Sequence, residues 1–139
     1  MIRRLFPLGG LVFILCVAAQ LDSAQTIEKR VVFQKGKNSA TYTHKLPSRY
    51  ADYDAYVLRA KKGQTLSVKL LADDPNASIS IYEIKVLGPD EDSMIGDIEY
   101  PREWSGKLPI TSEYSVQVYG PRTIDGRARG SYTIEITVH

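Results

Sequence analysis

The amino-acid sequence predicts an all-β protein: an antiparallel β-sandwich of about eight short strands that follows an N-terminal signal peptide. Three observations lead to this fold class. Four segments alternate strictly between apolar and polar residues, turn-forming residues separate the segments at fairly regular spacing, and no window of a dozen residues has the apolar spacing of an amphipathic helix. Short strands of this number, with turns between them, are typical of sandwiches.

The alternating segments are residues 65–70, 78–82, 114–118 and 132–138. In the first of them Leu66, Val68 and Leu70 share one face, and that face is predicted to be buried because successive strand residues point to opposite sides. Weaker patterns predict further strands at residues 30–34, 40–46, 56–60, 84–87 and 104–108. Residues with turn propensity (Gly, Pro, Asp and Asn) lie between most of these segments.

Residues 1–19 have the parts of a secretory signal. Arg3 and Arg4 give a short basic start, and the uncharged run 5–19 ends in small residues, so cleavage is predicted after Ala19. The run is about 15 residues long, shorter than the roughly 20 that a membrane helix needs. This length favours a cleaved signal over the alternative, an uncleaved anchor, and predicts a periplasmic or secreted protein.

Without residues 1–19 the chain, residues 20–139, is predicted to be one neutral domain. Cys16 is the only cysteine and falls in the predicted signal, so no disulfide, thiolate nucleophile or cysteine metal site remains. Arg3 and Arg4 also leave, and 16 basic residues then balance 16 acidic ones. A neutral domain favours neither nucleic acid nor an anionic membrane as partner. About 120 residues bury roughly two-thirds of their unfolded surface, enough for a single core without disulfides.

The histidines give little support for catalysis. His44 lies in a predicted strand and His139 ends the chain, so a Ser–His–Asp arrangement would depend on His44. A lone histidine in an alternating strand is typically an outward-facing polar residue, and sites built on His and Cys ligands need more of them. A glycosidase needs only two carboxylates, but a small sandwich gives no reason to expect a deep cleft. The sequence predicts a protein that is not an enzyme and holds no cofactor or metal ion.

Acidic residues concentrate in segment 90–99. Five of them give it a net charge of −5: Asp90, Glu91, Asp92, Asp97 and Glu99. A solvated loop between the sheets is the simpler interpretation, and a calcium loop is the alternative. Met94 occupies a position where an EF-type loop needs an oxygen ligand, so the calcium pattern fails.

A tyrosine-rich segment, residues 48–56, leads into a predicted strand. Its tyrosines alternate with acids, and Tyr56 is expected in the core because the apolar part of the strand begins there. Tyrosine offers a broad apolar face and a hydroxyl at low entropic cost, a combination that binding surfaces favour. We predict that Tyr50, Asp52 and Tyr53 contact a partner. In the alternative interpretation the two tyrosines cover an end of a sheet.

Arginines concentrate in the loop 119–132. Arg122, Arg127 and Arg129 fall within eight positions, although a turn requires Gly, Asn, Asp or Pro rather than Arg. Like charges at this spacing repel one another, and a guanidinium binds a carboxylate through two parallel hydrogen bonds. The three arginines are predicted to bind carboxylates of a partner. The alternative is a solvated loop in which Asp125 pairs with one of them.

Short motifs follow one another along most of the chain. They are Phe33-x-Lys35-Gly36-x-x-Ser39-Ala40-x-Tyr42, then Tyr53-Asp54-x-Tyr56, then Ala60-Lys61-Lys62-Gly63-Gln64, and finally Leu108-Pro109 with Tyr114, Val118 and Arg122. In this order they resemble the periplasmic inhibitors of g-type (goose-type) lysozyme, from about residue 30 to the end. The resemblance implies an antiparallel sandwich that blocks a muramidase by inserting loops into its active cleft.

The resemblance also implies which residues meet the enzyme. Tyr50 matches the tyrosine of one inserting loop, and Arg122 matches the first arginine of the other. The family has about two residues between this arginine and its Ala-Arg pair, whereas five residues separate Arg122 from Ala128 here, with Arg127 among them. An arginine against the catalytic carboxylic acid of a muramidase lowers the pKa of that acid and removes the proton it must donate.

Three functions from different classes are compatible with these observations. The first, which we favour, is a secreted or periplasmic inhibitor whose partner is g-type lysozyme. The second is a carbohydrate- or cell-wall-binding module that uses Tyr50, Tyr53 and Trp104 as stacking platforms on peptidoglycan or another glycan. Against this use, a lone tryptophan beside a strand more commonly packs at a sandwich edge. The third function is an exported domain that supports the assembly of another protein.

Overall fold

The computed structural model describes residues 27–49, 52–84, 93–96, 101–120 and 130–139. Within these ranges the chain forms nine strands and no helix. The strands are β1 (Glu28–Arg30), β2 (Ser39–Lys45), β3 (Tyr53–Ala60), β4 (Thr65–Ala72), β5 (Ser78–Ile84), β6 (Ser93–Gly96), β7 (Glu103–Lys107), β8 (Ser112–Tyr119) and β9 (Ser131–Val138).

The strands form two sheets that face each other. The five-stranded sheet has the order β1-β3-β8-β5-β6, and the four-stranded sheet has the order β2-β9-β4-β7. All pairs are antiparallel except β1 and β3, which run parallel. The predicted all-β sandwich is therefore confirmed, with nine strands in place of about eight and one parallel pair at a sheet edge.

The core lies between the sheets and is built from the apolar positions of the alternating strands. Ile79, Val116 and Leu58 enter it from the five-stranded sheet, and Leu66 and Ile134 enter it from the four-stranded sheet. Burying each such side chain contributes about 1.5–3 kcal/mol. The sequence prediction that Leu66, Val68 and Leu70 share a buried face is confirmed, and Tyr56 is in the core as expected.

Two strand predictions were wrong. The segment 30–34 is not a strand, because β1 ends at Arg30 and the chain then crosses to the other sheet, where β2 begins. Val31 is buried during this crossing while Val32 is 71% exposed, so the apolar pattern has a cause other than a strand. Strand β6 lies within the acidic segment that was interpreted as a loop. The predicted strand 84–87 meets the described residues only at Ile84, which ends β5.

Trp104 closes one edge of the sandwich. It pairs with the buried Val68 in the register of β4 and β7, and a Cβ added to Gly106 or Gly96 would meet its ring at 2.7 Å or 2.6 Å. Because Gly96 belongs to β6 in the other sheet, the indole fills the gap between the two edge strands. The prediction that this lone tryptophan packs at the sandwich edge is confirmed.

Candidate functional site

Two connections leave the sandwich at the same end. The chain passes from β2 to β3 through residues 46–52 and from β8 to β9 through residues 120–130. Their flanking strands are neighbours, with Lys45 opposite Ser131 and Tyr53 opposite Tyr119. We call the end of the sandwich formed by these four residues the loop end. The tyrosine-rich and arginine-rich segments therefore begin and finish side by side, each connecting one sheet to the other.

Two of the six predicted partner-binding residues, Asp52 and Tyr53, belong to the described ranges. The other four lie outside the described residues: Tyr50, Arg122, Arg127 and Arg129. Asp52 is half-buried, and its backbone N–H donates to the carbonyl oxygen of Arg49 at 3.2 Å. This hydrogen bond closes the first connection immediately before β3 begins.

Tyr53 packs against Tyr119 at the loop end. The two ring centroids are 5.3 Å apart with an angle of 44° between the ring planes, and the Tyr119 hydroxyl donates to Gln117 Oε1 at 2.5 Å. Tyr53 remains 38% exposed. The side chain therefore covers the end of a sheet, as the alternative interpretation expected, and also remains partly exposed next to both connections.

A buried carboxylate lies directly beneath these tyrosines. Asp54 is only 1% exposed, yet it follows Tyr53 in the strand and points to the opposite side, into the sandwich. Its Oδ2 accepts a hydrogen bond from the Tyr132 hydroxyl at 2.7 Å and lies 3.1 Å from His44 Nδ1. Its Oδ1 accepts from the backbone N–H of Ile27 at 3.1 Å. We call Asp54, His44, Tyr132 and Tyr56 the Asp54 cluster.

The hydrogen bonds of the Asp54 cluster have one direction. Burial raises the pKa of Tyr132 far above the ordinary value for a phenol, and the hydrogen bonds with Tyr56 and Asp54 raise it further. The Tyr132 hydroxyl therefore stays protonated. Its proton goes to Asp54, and its oxygen accepts from the Tyr56 hydroxyl at 2.6 Å. Burial likewise raises the pKa of Tyr56. Two hydroxyls thus donate in sequence, Tyr56 to Tyr132 and Tyr132 to Asp54, and the chain of hydrogen bonds ends on the carboxylate.

The prediction that His44 faces outward was wrong. His44 shares the inner side of β2 with Tyr42 and contacts Asp54, although its side chain is 40% exposed. Since β2 is an edge strand that pairs with β9 alone, even its inward residues stay partly open to solvent. A signal for the cluster was present in the sequence: Asp54 occupies an inward position of a strand that continues with Tyr56, Leu58 and Ala60.

A second carboxylate fixes the point where the arginine-rich connection returns to the sheet. Asp73 Oδ2 accepts from the Ser131 N–H at 2.8 Å, and the Asp73 N–H donates to the Ser131 carbonyl at 3.0 Å. Gly130 has a φ of +87°, and a Cβ there would lie 2.5 Å from Asp73 Oδ2. The Gly130 carbonyl also accepts from the Leu46 N–H at 3.0 Å, which joins the two connections directly.

The outer face of the four-stranded sheet carries two shallow grooves, of about 390 and 610 Å³. The smaller groove is lined largely by polar side chains, among them Ser67, Lys69, Glu103 and Glu135.

Within the described ranges, no three His, Cys, Asp or Glu side chains are grouped so as to hold a metal ion. No helix in that part of the chain has the length and apolarity needed to cross a membrane.

The fold has solved counterparts. It superimposes on PliG of Aeromonas hydrophila, a periplasmic lysozyme inhibitor of g-type lysozyme, with a TM-score of 0.68 and 27% sequence identity over 83% of this chain and 98% of that one. The chain resembles PliG. The resemblance to these inhibitors that the short motifs predicted is thereby confirmed.

Two further PliG structures have the same fold. A mutant of PliG from Escherichia coli gives a TM-score of 0.60 at 24% identity, and PliG of Salmonella Typhimurium gives 0.59 at 23%, each over 83% of this chain and 100% of the other. No protein-family profile matches this sequence, and no curated protein sequence does either.

All three PliG proteins are periplasmic, which supports the predicted periplasmic or secreted location. The signal peptide 1–19 and its cleavage after Ala19 stay predictions.

Proposed function

We propose that this protein inhibits g-type lysozyme in the periplasm or after secretion. The likeness to Aeromonas hydrophila PliG, which extends over 83% of the chain, is the observation that carries this proposal. The neighbours are inhibitors of an enzyme rather than enzymes, in keeping with a chain that binds and does not catalyse. The meeting of two long connections at the loop end supports the proposal independently, because such a surface offers two loops to one partner.

The inhibitory surface that we propose consists of Tyr50, Asp52, Tyr53 and the arginines of the second connection. Tyr50 would occupy the place of a sugar ring in the enzyme's cleft. Arg122, with Arg127 and Arg129 beside it, would meet the catalytic carboxylic acid. An arginine there holds the acid in its charged form, so the acid cannot protonate the leaving oxygen. Removing one buried arginine of this kind costs about 2–5 kcal/mol of binding, partly because its partner is left unpaired.

A turbidity assay on cell walls tests this function. The exported protein is titrated into g-type lysozyme, with a hen-type lysozyme in parallel. We expect inhibition of the g-type enzyme, and we expect Arg122→Ala to raise the inhibition constant at least about 30-fold, the equivalent of 2 kcal/mol.

Arg59→Ala is the matched control for this variant. Arg59 is exposed on β3, at the end of that strand away from Tyr53. Its loss should leave the inhibition constant unchanged. A wild-type protein that inhibits neither enzyme would contradict the proposal, and binding to peptidoglycan would then be the next measurement. Equal losses in the two arginine variants would contradict the role of Arg122.

A further inference from the structure

We propose that Asp54 is a positioning residue that holds both partner-contacting connections in place from beneath. The inference rests on the proposed function only in calling the connections partner-contacting. Its basis is that each of the four strand ends at the loop end is linked to Asp54 or to the residue beside it.

Three of the four strand ends contribute directly to the Asp54 cluster. His44 lies near the end of β2, where the first connection leaves, and Asp54 is the second residue of β3, where that connection arrives. Tyr132 is the second residue of β9, where the arginine-rich connection arrives. The polar contacts between them, 2.7 Å to Tyr132 and 3.1 Å to His44, both end on one oxygen atom, Asp54 Oδ2.

The fourth strand end is linked through Tyr53. This residue precedes Asp54 on β3, and its ring packs on Tyr119, the last residue of β8. Asp54 and Tyr53 point to opposite sides of the same strand. A shift of β3 at this end would therefore move the β2 and β9 contacts on one side and the β8 contact on the other.

The hydrogen bonds of Asp54 connect the two sheets. Asp54 belongs to the five-stranded sheet, whereas His44 and Tyr132 belong to the four-stranded sheet and stand opposite each other in the β2–β9 register. The Ile27 N–H bond adds the segment that precedes β1. Apolar contact between sheets has no directional preference, but hydrogen bonds to a carboxylate fix distance and angle. The carboxylate thus specifies how the two pairs of strand ends sit relative to each other.

A purely stabilising role does not account for a charge at this position. Removing a carboxylate from water is costly, and apolar residues of similar size commonly stabilise a core as well or better. A buried ionic group is more readily explained where it fixes one arrangement among several. At the loop end the arrangement concerns the bases of both connections, and preorganisation of a binding surface increases affinity without adding a contact to the partner.

Two phenylalanine substitutions in the full chain separate positioning from stability. Tyr132→Phe removes the hydroxyl that donates to Asp54. Tyr114→Phe, at another buried tyrosine, removes a part-buried hydroxyl that donates to the Ile110 carbonyl at 2.5 Å, near the start of β8 and away from the loop end. Both variants keep the ring. Tyr132→Phe loses the hydrogen bonds with Asp54 and with Tyr56, whereas Tyr114→Phe loses the bond to Ile110. His44→Gln, at a half-exposed position, is the second loop-end variant if Tyr132→Phe does not fold.

The measurements are the inhibition constant for g-type lysozyme and amide hydrogen exchange resolved by segment. We expect Tyr132→Phe to raise the inhibition constant roughly tenfold, and to speed exchange in residues 44–54 and 117–132 without changing that of β4 and β5. Tyr114→Phe should leave both readouts at the loop end unchanged. Equal effects of the two variants, or faster exchange throughout the sandwich, would overturn the inference.

Failure of the proposed function gives a different result. If wild-type protein does not inhibit the lysozyme, the inhibition constant is lost as a readout and the exchange pattern alone decides. Faster exchange confined to the two loop-end segments in Tyr132→Phe then supports Asp54 as a positioning residue for these connections. Unchanged exchange there overturns it.

Discussion

The two ends of the sandwich are held together by different chemistry. At the far end, formed by the connections 61–64 and 108–111, short backbone hydrogen bonds join neighbouring turns: the Gly63 N–H donates to the Leu108 carbonyl at 2.9 Å, and the Leu108 N–H donates to the Gln64 carbonyl at 2.8 Å. At the loop end, two carboxylates, Asp54 and Asp73, join residues that are remote in sequence. The backbone alone joins the short turns of the far end, whereas side-chain carboxylates hold the bases of the longer connections at the loop end.

Two tyrosines illustrate the same difference. Tyr114 and Tyr132 are both fully buried, and burial raises the pKa of each phenol. The Tyr114 hydroxyl donates to a backbone carbonyl four residues earlier in the chain. The Tyr132 hydroxyl donates across 78 positions to a carboxylate of the other sheet. The first bond secures a turn, and the second secures the spacing between two sheets where both candidate binding segments begin.

The largest effect is expected from removing the loop-end carboxylate. Asp54→Ala leaves the Tyr132 hydroxyl, His44 and the Ile27 N–H without their acceptor, and breaking a buried charged interaction by deleting one partner costs about 3–5 kcal/mol. Urea unfolding followed by circular dichroism measures the loss. Asp74→Ala is the control, because the Asp74 carboxylate accepts an exposed, local hydrogen bond from the Asn76 N–H at 2.9 Å. A difference below about 1 kcal/mol between the variants would contradict the contrast between the two ends.

A pair of glycines tests the contrast at the level of the backbone. Gly63 at the far end and Gly130 at the loop end have nearly the same φ, +86° and +87°. A Cβ at Gly63 meets nothing within 4 Å, whereas one at Gly130 meets Asp73. Gly63→Ala should cost about 1–2 kcal/mol, the penalty of a left-handed conformation. Gly130→Ala should cost about 1–3 kcal/mol more, because the new methyl group must displace Asp73 from its bond with Ser131.

Thermal unfolding of the two alanine variants under identical conditions measures this difference. Equal losses of stability would mean that Asp73 moves aside freely and does not anchor the arginine-rich connection. Asp73→Asn provides the complementary variant: it keeps the size of the side chain and weakens the acceptor for the Ser131 N–H, so we expect a smaller loss than in Gly130→Ala.

The strands were largely predictable because a strand with one buried face has apolar and polar residues in alternation. Residues 65–70 and 132–138 alternate since one face of each strand enters the core, and the prediction found both strands, β4 (Thr65–Ala72) and β9 (Ser131–Val138). The strand predicted at residues 30–34 was wrong because Val31 is buried where the chain crosses between the sheets, and not within a strand. Strand β6 was missed because its pairing with β5 is short and shifts register between Ile81 and Tyr82, in an acidic stretch. The parallel pairing of β1 depends on a distant strand and has no local signal.

The candidate site was predictable only in part. Tyr53 and Asp52 stand at the loop end, where their segment was expected to act, but the sequence pattern treated Asp54 as a member of a motif and His44 as an outward residue. Both belong to one cluster because β2 and β3, in different sheets, bring them within 3.1 Å. Alternation states which side of a strand a residue occupies. It does not state which residue of the other sheet lies opposite.

The smallest effect is expected from the exposed ion pair on the five-stranded sheet. Arg30 on β1 and Glu113 near the start of β8 form a two-point contact, with N–O distances of 2.8 and 3.0 Å. The hydrogen bond from Arg30 lowers the pKa of Glu113 below its ordinary value. A carboxylate with a lowered pKa in the folded state contributes stability above its unfolded pKa, and this contribution disappears as the pH falls through the folded pKa.

Arg30→Gln should therefore be slightly less stable than wild type at pH 7. The difference should shrink as the pH falls through the folded pKa of Glu113, and it should also shrink in high salt, since water and ions screen exposed pairs. Urea unfolding over a series of pH values measures it. The inhibition constant should not change, because neither residue belongs to the loop end. A charge pair that is exposed and far from the loop end would then affect stability alone, whereas the buried carboxylate of Asp54 affects both stability and the placement of the binding segments. A loss in Arg30→Gln that does not change with pH would instead assign its effect to packing of the arginine stem.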